Sequence, residues 1–183
     1  MKPLYLITGK SGSGKTTIVN YLEETYGLRS LQSYTTRPPR YEGEVGHIFV
    51  TDEEFDALEN IVAYTDYNNY RYCATAEQVD EVDLYVVDVP GVEYLLDRYS
   101  NAERRIHIIY LDTTVKTRIQ RMIDRGDSDS AIVGRLLQDE EYDWYRALAR
   151  FSYLKDNVET HGVYGEAPLE IVIKEILHII KEE

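Results

Sequence analysis

The sequence predicts an α/β protein in which a parallel sheet carries helices on both faces. Three observations point there. Short apolar runs alternate with helical patterns along most of the chain. The first run passes through a glycine-rich turn into a helix, the start of a βαβ unit. A length of 183 residues suffices for one core carrying small inserted lobes, with no internal repeat and no low-complexity tract.

Leu4 to Thr8 is a short apolar run that ends in glycines and reads as a buried parallel strand. Thr16 to Tyr26 follows as a helix, with Ile18, Val19 and Leu22 at helical spacing and Gly27 at the C-cap position. From Leu28 to Thr75 the character changes. Pro38, Pro39, Gly43 and Gly46, many tyrosines, and β-like stretches such as His47 to Val50 read as an inserted lobe. A short helix is expected there from Asp52 to Asn60, with Thr51 as its N-cap and acidic residues in its first turn. The core resumes with a strand at Asp83 to Asp88, a Pro90-Gly91 turn and a helix over Val92 to Arg98. Arg105 to Leu111 is a third core strand. A basic helix runs from Thr114 to Arg125, small polar residues break it at Gly126 to Ser130, and helix returns from Ala131 to Ala149. Ser152 to Leu154 is expected as the last core strand. Leu169 to Lys181 closes the chain as a helix with Ile173, Ile176, Leu177 and Ile180 on one face.

A net charge of −13 repels phosphate backbones and anionic lipid surfaces. It excludes general nucleic-acid and membrane partners and leaves room for local basic sites. No apolar run approaches the roughly 20 residues that span a bilayer. Met1 to Tyr5 runs straight into a strand pattern and does not read as a signal peptide. The single cysteine, Cys73, permits neither an intrachain disulfide nor a cysteine-rich zinc site, which suits a reducing, cytoplasmic setting. Seventeen tyrosines against three phenylalanines leave many aromatic side chains with a hydroxyl to satisfy.

Gly9 to Thr16 fits G-x-x-x-x-G-K-[ST], the phosphate-binding P-loop, in the strand-to-helix position its mechanism requires. Glycines let the backbone curl so that successive N–H groups converge on a phosphate, and the helix N-terminus adds its positive end. Lys15 can reach the β- and γ-phosphates, and the Thr16 hydroxyl can bind Mg²⁺. Asp88 to Gly91 resembles the D-x-x-G element of GTPases, but no N-K-x-D guanine motif accompanies it. Asp88 at a strand end can still support Mg²⁺ through water. Downstream, Arg37 and Arg40, stiffened by Pro38 and Pro39, form a preset fork for a dianionic phosphate, against the plainer reading of a polar surface loop.

These features together resemble guanylate kinase. The resemblance rests on Gly9 to Thr16, on Ser33, Thr35, Thr36, Arg37, Pro39 and Arg40, on Gly43 to Gly46 with Phe49 and Val50, and on Asp88, Gly91 and Val92. It continues through Arg121 to Gly126, Arg135 and Leu136, and more weakly Phe151 to Asn157, in the family's order. It implies γ-phosphoryl transfer from ATP to GMP by a P-loop core, a nucleotide-monophosphate lobe and a helical lid. The expected boundaries are a core of 1–32, 76–118 and 148–183, an acceptor lobe of 33–75 and a lid of 119–147. ATP and Mg²⁺ are the implied cofactors and small nucleotides the implied partners; oligomeric state is left open, a homodimer included.

By resemblance, ATP is bound by Gly9, Ser11, Gly12, Ser13, Gly14, Lys15, Thr16 and Thr17, with Asn157 at the adenine pocket and Thr16 as the metal ligand. Arg37 and Arg40 grip the acceptor phosphate, joined by Tyr72, with Ser33 at the base and Asp88 near the nucleoside. His47 replaces another phosphate-binding tyrosine and can still donate a hydrogen bond. Lys15, Arg121, Arg125 and Arg135 are the expected catalytic cations; the plainer reading of the basic helix is a solvated face with ion pairs.

Two positions depart from the pattern. The guanine-reading glutamate aligns with Ala63 and a second acceptor, a serine, with Ala74. Each unmade buried hydrogen bond costs on the order of 1–3 kcal/mol. Guanine selectivity then needs a substitute such as Asp66, or the pocket, with Tyr64, Tyr67 and Tyr70 nearby, takes another acceptor. A phosphorylated sugar such as ribose 1,5-bisphosphate is one alternative, and a non-catalytic guanylate-kinase-like binding module is another. His107 falls within a core strand pattern and reads as structural; His161 and His178 read as surface residues. Nothing flanking Cys73 marks it as a nucleophile.

Overall fold

A computed structural model describes residues 2–101, 104–154 and 156–181. The chain begins with β1 (Leu4–Thr8), fully buried, and α1 (Lys15–Tyr26), which ends where Gly27 adopts a left-handed conformation at φ 66° and its N–H bonds to Glu23 O. The lobe follows as β2 (Ser33–Thr35), β3 (His47–Phe49), α2 (Asp52–Asp56), β4 (Ile61–Tyr67) and β5 (Tyr70–Thr75). Then come α3 (Ala76–Glu81), β6 (Leu84–Val86), α4 (Val89–Arg98) and β7 (Ile106–Asp112). The chain closes with α5 (Val115–Asp124), α6 (Asp129–Asp139), α7 (Trp144–Leu154), β8 (Val158–Tyr164) and α8 (Leu169–Lys181).

The core sheet has the order β6-β1-β7-β8 and is parallel throughout. Its strand residues alternate between two hydrophobic clusters. Tyr5, Ile7, Ile109 and Leu111 pack with Ile18 and Leu22 of α1 and Ile173 and Ile176 of α8. Leu4, Leu6, Ile106 and Ile108 pack with Val92 and Leu95 of α4 and Phe151 of α7. The expected two-faced α/β core is therefore what forms. The lobe is a second, mixed sheet of order β3-β2-β5-β4, in which β2 and β3 run parallel and the other pairs antiparallel.

Helix α2 is shorter than its expected span to Asn60. Its start is as read, with Thr51 and Glu54 forming a capping box. Its end comes early, and Asn60 is left-handed at φ 54°. The helix expected from Ala131 to Ala149 is two helices. The acidic run Asp139 to Glu141 opposes the negative end of a helix dipole, the Trp144 indole donates to Asp139 O (3.0 Å), and the Asp143 carboxylate caps the Arg146 amide (3.1 Å). The strand expected at Ser152 to Leu154 is the end of α7, and the last core strand is β8. As an edge strand, β8 buries only Val158 and Val163 and so lacks a continuous apolar run.

Candidate active site

One cavity of about 690 Å³ opens at the carboxyl ends of the core strands, between the two sheets and the α5–α6 region. Gly9, Ser11, Gly12, Ser13, Gly14, Lys15, Thr16 and Thr17 line one side; Arg40, His47, Thr65 and Asp88 line the other; Arg121, Arg125 and Arg135 lie between. A crevice at the carboxyl ends of parallel strands is where open α/β sheets bind ligands.

The glycines of the loop are needed for its shape. Gly12 and Gly14 have φ of 79° and 104°, and a Cβ on Gly12 would come within 2.6 Å of Arg118 O. Lys15 Nζ folds back to Gly9 O (2.6 Å) and Lys10 O (3.2 Å). Burial lowers its pKa to about 8, although Asp139 and Asp88 pull the other way.

Asp139, at the end of α6, accepts hydrogen bonds from the Ser11 amide (3.0 and 3.2 Å) and pairs with buried Arg118 at 2.7 Å. Lys10 pairs with Glu140 at 2.8 Å. Arg121 lines the cavity and donates to Ser13 O and Gly165 O, each at 2.8 Å, so it ties the loop to the segment after β8 and is not on a solvated ion-pair face. Arg125 and Arg135 share the carboxylate of Asp127, with Arg125 Nε at 2.9 Å and Arg135 Nε at 3.5 Å. The Arg125 bond holds the Asp127 carboxyl below its ordinary range.

On the lobe, alternation along β4 and β5 turns Ala63, Thr65 and Tyr67, with Tyr72 and Ala74, to one face. From that face Thr65 donates to Asp88 (2.8 Å), and the Tyr67 hydroxyl lies 3.3 Å from that of Ser11. Asp88 also caps α4 by accepting from the Gly91 amide (2.9 Å), the structural meaning of its D-x-x-G pattern. Burial raises the Asp88 pKa; these two bonds and Lys15 oppose the rise.

Arg37 is buried and does not line the cavity. Its guanidinium spans the Glu44 carboxylate (2.9 and 3.1 Å), and its Nε donates to the Tyr72 hydroxyl (3.2 Å). Burial alone would lower its pKa; the Glu44 and Tyr72 bonds more than offset this. Arg40 reaches the same Glu44 at 3.6 Å from an exposed position and does line the cavity. Ser33 is buried and bonds His47 Nδ1 at 2.9 Å. Burial, then Arg37, lowers the His47 pKa to about 4, so the ring is neutral.

Three expectations are refined here. Asn157 is not at the nucleotide cavity: its side chain donates to Arg104 O (2.7 Å) at the amino end of β7. That is about 20 Å of strand from the P-loop end, at roughly 3.3 Å per residue. Asp66 lines the cavity, but it accepts from the Tyr64 hydroxyl (2.9 Å) and alternates to the opposite sheet face from Ala63. Of the three tyrosines, Tyr67 alone lines the cavity; Tyr64 packs on Phe55 and Tyr94, at 6.2 and 6.0 Å between ring centres. Cys73 is buried, which pushes its thiol up to about 12 and leaves it inert. Asp139 and Thr65 were not foreseen. Both act through contacts distant in sequence, and Asp139 stands in an acidic run with no motif around it.

A family model described as an AAA domain (AAA_18) matches residues 6–143. Guanylate kinase of Neisseria meningitidis (serogroup A) is 32% identical over 153 residues, covering 76% of this chain and 73% of that protein. Guanylate kinase of Helicobacter pylori (strain 26695) is 30% identical, covering 97% and 89%. The chain belongs to the guanylate kinase-like family of P-loop kinases. The crystal structure of guanylate kinase from Anaplasma phagocytophilum shares the fold, with a TM-score of 0.58 over 99% of this chain and 85% of that one at 16% identity. Kinship with guanylate kinases suggests a phosphotransferase of the nucleoside monophosphate kinase type, and a P-loop kinase family implies ATP use. Within this guanylate kinase-like chain, Ala63 and Ala74 are register partners, both fully buried among core residues that include Val89 and Val92 of α4. Among the described residues, no helix is long and apolar enough to cross a membrane.

Proposed function

We propose that the chain transfers the γ-phosphoryl group of ATP to a (deoxy)nucleoside monophosphate, with GMP or dGMP as the default acceptor. The observation that carries this is a single cavity with the P-loop and Lys15 on one wall, Arg40, His47 and Asp88 on the other, and Arg125 and Arg135 between them. Two anions need such an arrangement to approach one another.

In the proposed reaction the P-loop amides and Lys15 hold the β- and γ-phosphates. Arg40 receives the acceptor phosphate, and Arg37, fixed by Glu44 and Tyr72, shapes the loop that presents it. An acceptor phosphate oxygen attacks the γ-phosphorus, the bond to the β–γ bridging oxygen breaks, and ADP leaves. Arg125 and Arg135 exchange Asp127 for the charge that spreads over the transferring group, and no strong general base is required. The donor set fits Mg²⁺: the Thr16 hydroxyl is exposed at the cavity, and Asp88, whose oxygens already accept from Thr65 and Gly91, is suited to hold it through water. Bound there, Mg²⁺ would neutralise developing phosphate charge.

The covered Ala63–Ala74 pair favours a second reading, in which the acceptor is a phosphorylated sugar such as ribose 1,5-bisphosphate. A coupled ADP-release assay with Mg-ATP decides between them, using GMP, dGMP, AMP, CMP, UMP, dTMP, dUMP and ribose 1,5-bisphosphate, with a no-acceptor blank. A strong signal with a nucleoside monophosphate supports the first reading, and a signal with the sugar alone replaces it. ATP binding with silence across the panel overturns both.

A further inference from the structure

Away from the cavity, β7 and β8 bring two imidazoles and a carboxylate together. Glu159 and His161 are two residues apart on β8 and so share a sheet face. His107 is the register partner of Glu159 on β7. His107 Nδ1 lies 3.1 Å from His161 Nε2, and Glu159 Oε2 lies 3.9 Å from each of these nitrogens. At 3.9 Å the carboxylate is beyond hydrogen-bond range of both rings. It is placed instead as a third ligand would be: bonds of about 2.0–2.2 Å to a tetrahedral ion put neighbouring ligand atoms about 3.4 Å apart. The three observed separations bracket that value within about half an ångström.

The surroundings make a floor and an opening. The His107 side chain is 3% exposed and stacks on Tyr5 with ring centres 5.1 Å apart; the Tyr5 hydroxyl donates to Ile180 O at 3.3 Å. The His161 ring meets His107 nearly end-on through the 3.1 Å contact, with ring centres 5.4 Å apart and planes 23° apart. The His161 side chain is 26% exposed and that of Glu159 55%, so an ion seated on His107 would keep access to water. None of the three residues lines the nucleotide cavity. His107 is level with Tyr5, about 13 Å of strand before the P-loop.

We propose that His107, Glu159 and His161 bind one divalent transition-metal ion of the zinc class, which pins edge strand β8 to β7. Two imidazoles with one carboxylate suit Zn²⁺, Co²⁺ or Ni²⁺ over the all-oxygen preference of Mg²⁺ and Ca²⁺. Binding breaks the His107–His161 hydrogen bond: the donating ring shifts its proton to its other nitrogen, and the rings turn so that the two freed lone pairs converge on the ion. The ion's role is structural: it binds the folded chain and stabilises it by mass action.

The test is a calorimetric titration of the untagged full chain with ZnCl₂, without nucleotide and with Mg²⁺ in excess. The expected result is one saturable Zn²⁺ per chain and a Tm that rises with Zn²⁺ concentration. His161→Ala and Glu159→Gln replace partly exposed side chains, and far-UV circular dichroism checks that they fold. Each should weaken Zn²⁺ binding at least about tenfold and abolish the Tm shift. Absence of saturable binding in the wild-type chain overturns the proposal, as does wild-type affinity in either folded variant.

Discussion

Ala63 and Ala74 stand directly opposite one another in the β4–β5 pair, and neither side chain reaches solvent. The face they share continues through Thr65 and Tyr72 into the acceptor side of the cleft, so apolar packing takes over where the family resemblance places two polar contacts to guanine. Neither Ala63 nor Ala74 carries a side-chain group that could accept a hydrogen bond from a base. Ala63→Glu therefore places a carboxylate in packed core, at a cost of about 3 kcal/mol. That corresponds to a fall of roughly 6–12 °C in Tm for a domain of this size. Differential scanning calorimetry checks it; an unchanged Tm would show that this position opens onto a pocket.

Lys15 is expected to titrate near pH 8 in the nucleotide-free protein, because burial disfavours its charge. A bound triphosphate favours that charge, so ATP binding should take up protons between about pH 8 and 9, and affinity should fall as pH rises through 8. Calorimetry in buffers of different ionisation enthalpy measures the uptake. Lys15→Ala should abolish it, lower turnover about 10²–10³-fold and leave Tm near wild type. Proton uptake that survives the substitution assigns the titration elsewhere.

Arg135 lies 3.5 Å from Asp127 and lines the cavity without bracing the P-loop. Arg135→Ala should lower kcat by about 10²-fold or more while ATP affinity changes less than about threefold. Equal losses in both would sink a role confined to the transition state.

Glu44 is paired with Arg37 and Arg40, and both Arg37 and Glu44 side chains are buried. Desolvation alone would raise the Glu44 pKa; its hydrogen bonds from Arg37 and Arg40 outweigh that, and the net shift is downward. A carboxyl with a depressed folded pKa contributes stability that is present above its unfolded value of about 4.5 and is lost as pH falls through the folded value. Tm should therefore fall more steeply between pH 5 and 3 in the wild type than in Glu44→Gln, in parallel thermal melts. Parallel curves would remove Glu44 from the acid-sensitive set.

Where the structure depends on neighbours in sequence, the chain could be read directly. The P-loop, the Gly27 stop, the Thr51 cap and the apolar face of α8 are all set within a turn or two. Elements that depend on distant partners were not legible. The Ser11–Asp139 bond spans 128 residues, and β8 is ordered by pairing with β7 and by packing of Val158 and Val163 into the two core clusters. Asn157 followed a weak local resemblance, and its register at the amino end of β7 overrode it. His161 looked like an exposed polar residue because nothing in a single strand announces the imidazole on the next one.

Helix α6 carries Arg135 and Asp139 one turn apart, the first beside Asp127 in the cleft and the second bonded to the P-loop amide of Ser11. A single helical turn has little internal freedom, so the distance between the P-loop contact and the guanidinium is set by one short stretch of helix. If the proposed triphosphate and acceptor are coupled through this turn, whatever factor the first applies to the affinity of the second, the second must apply to the first.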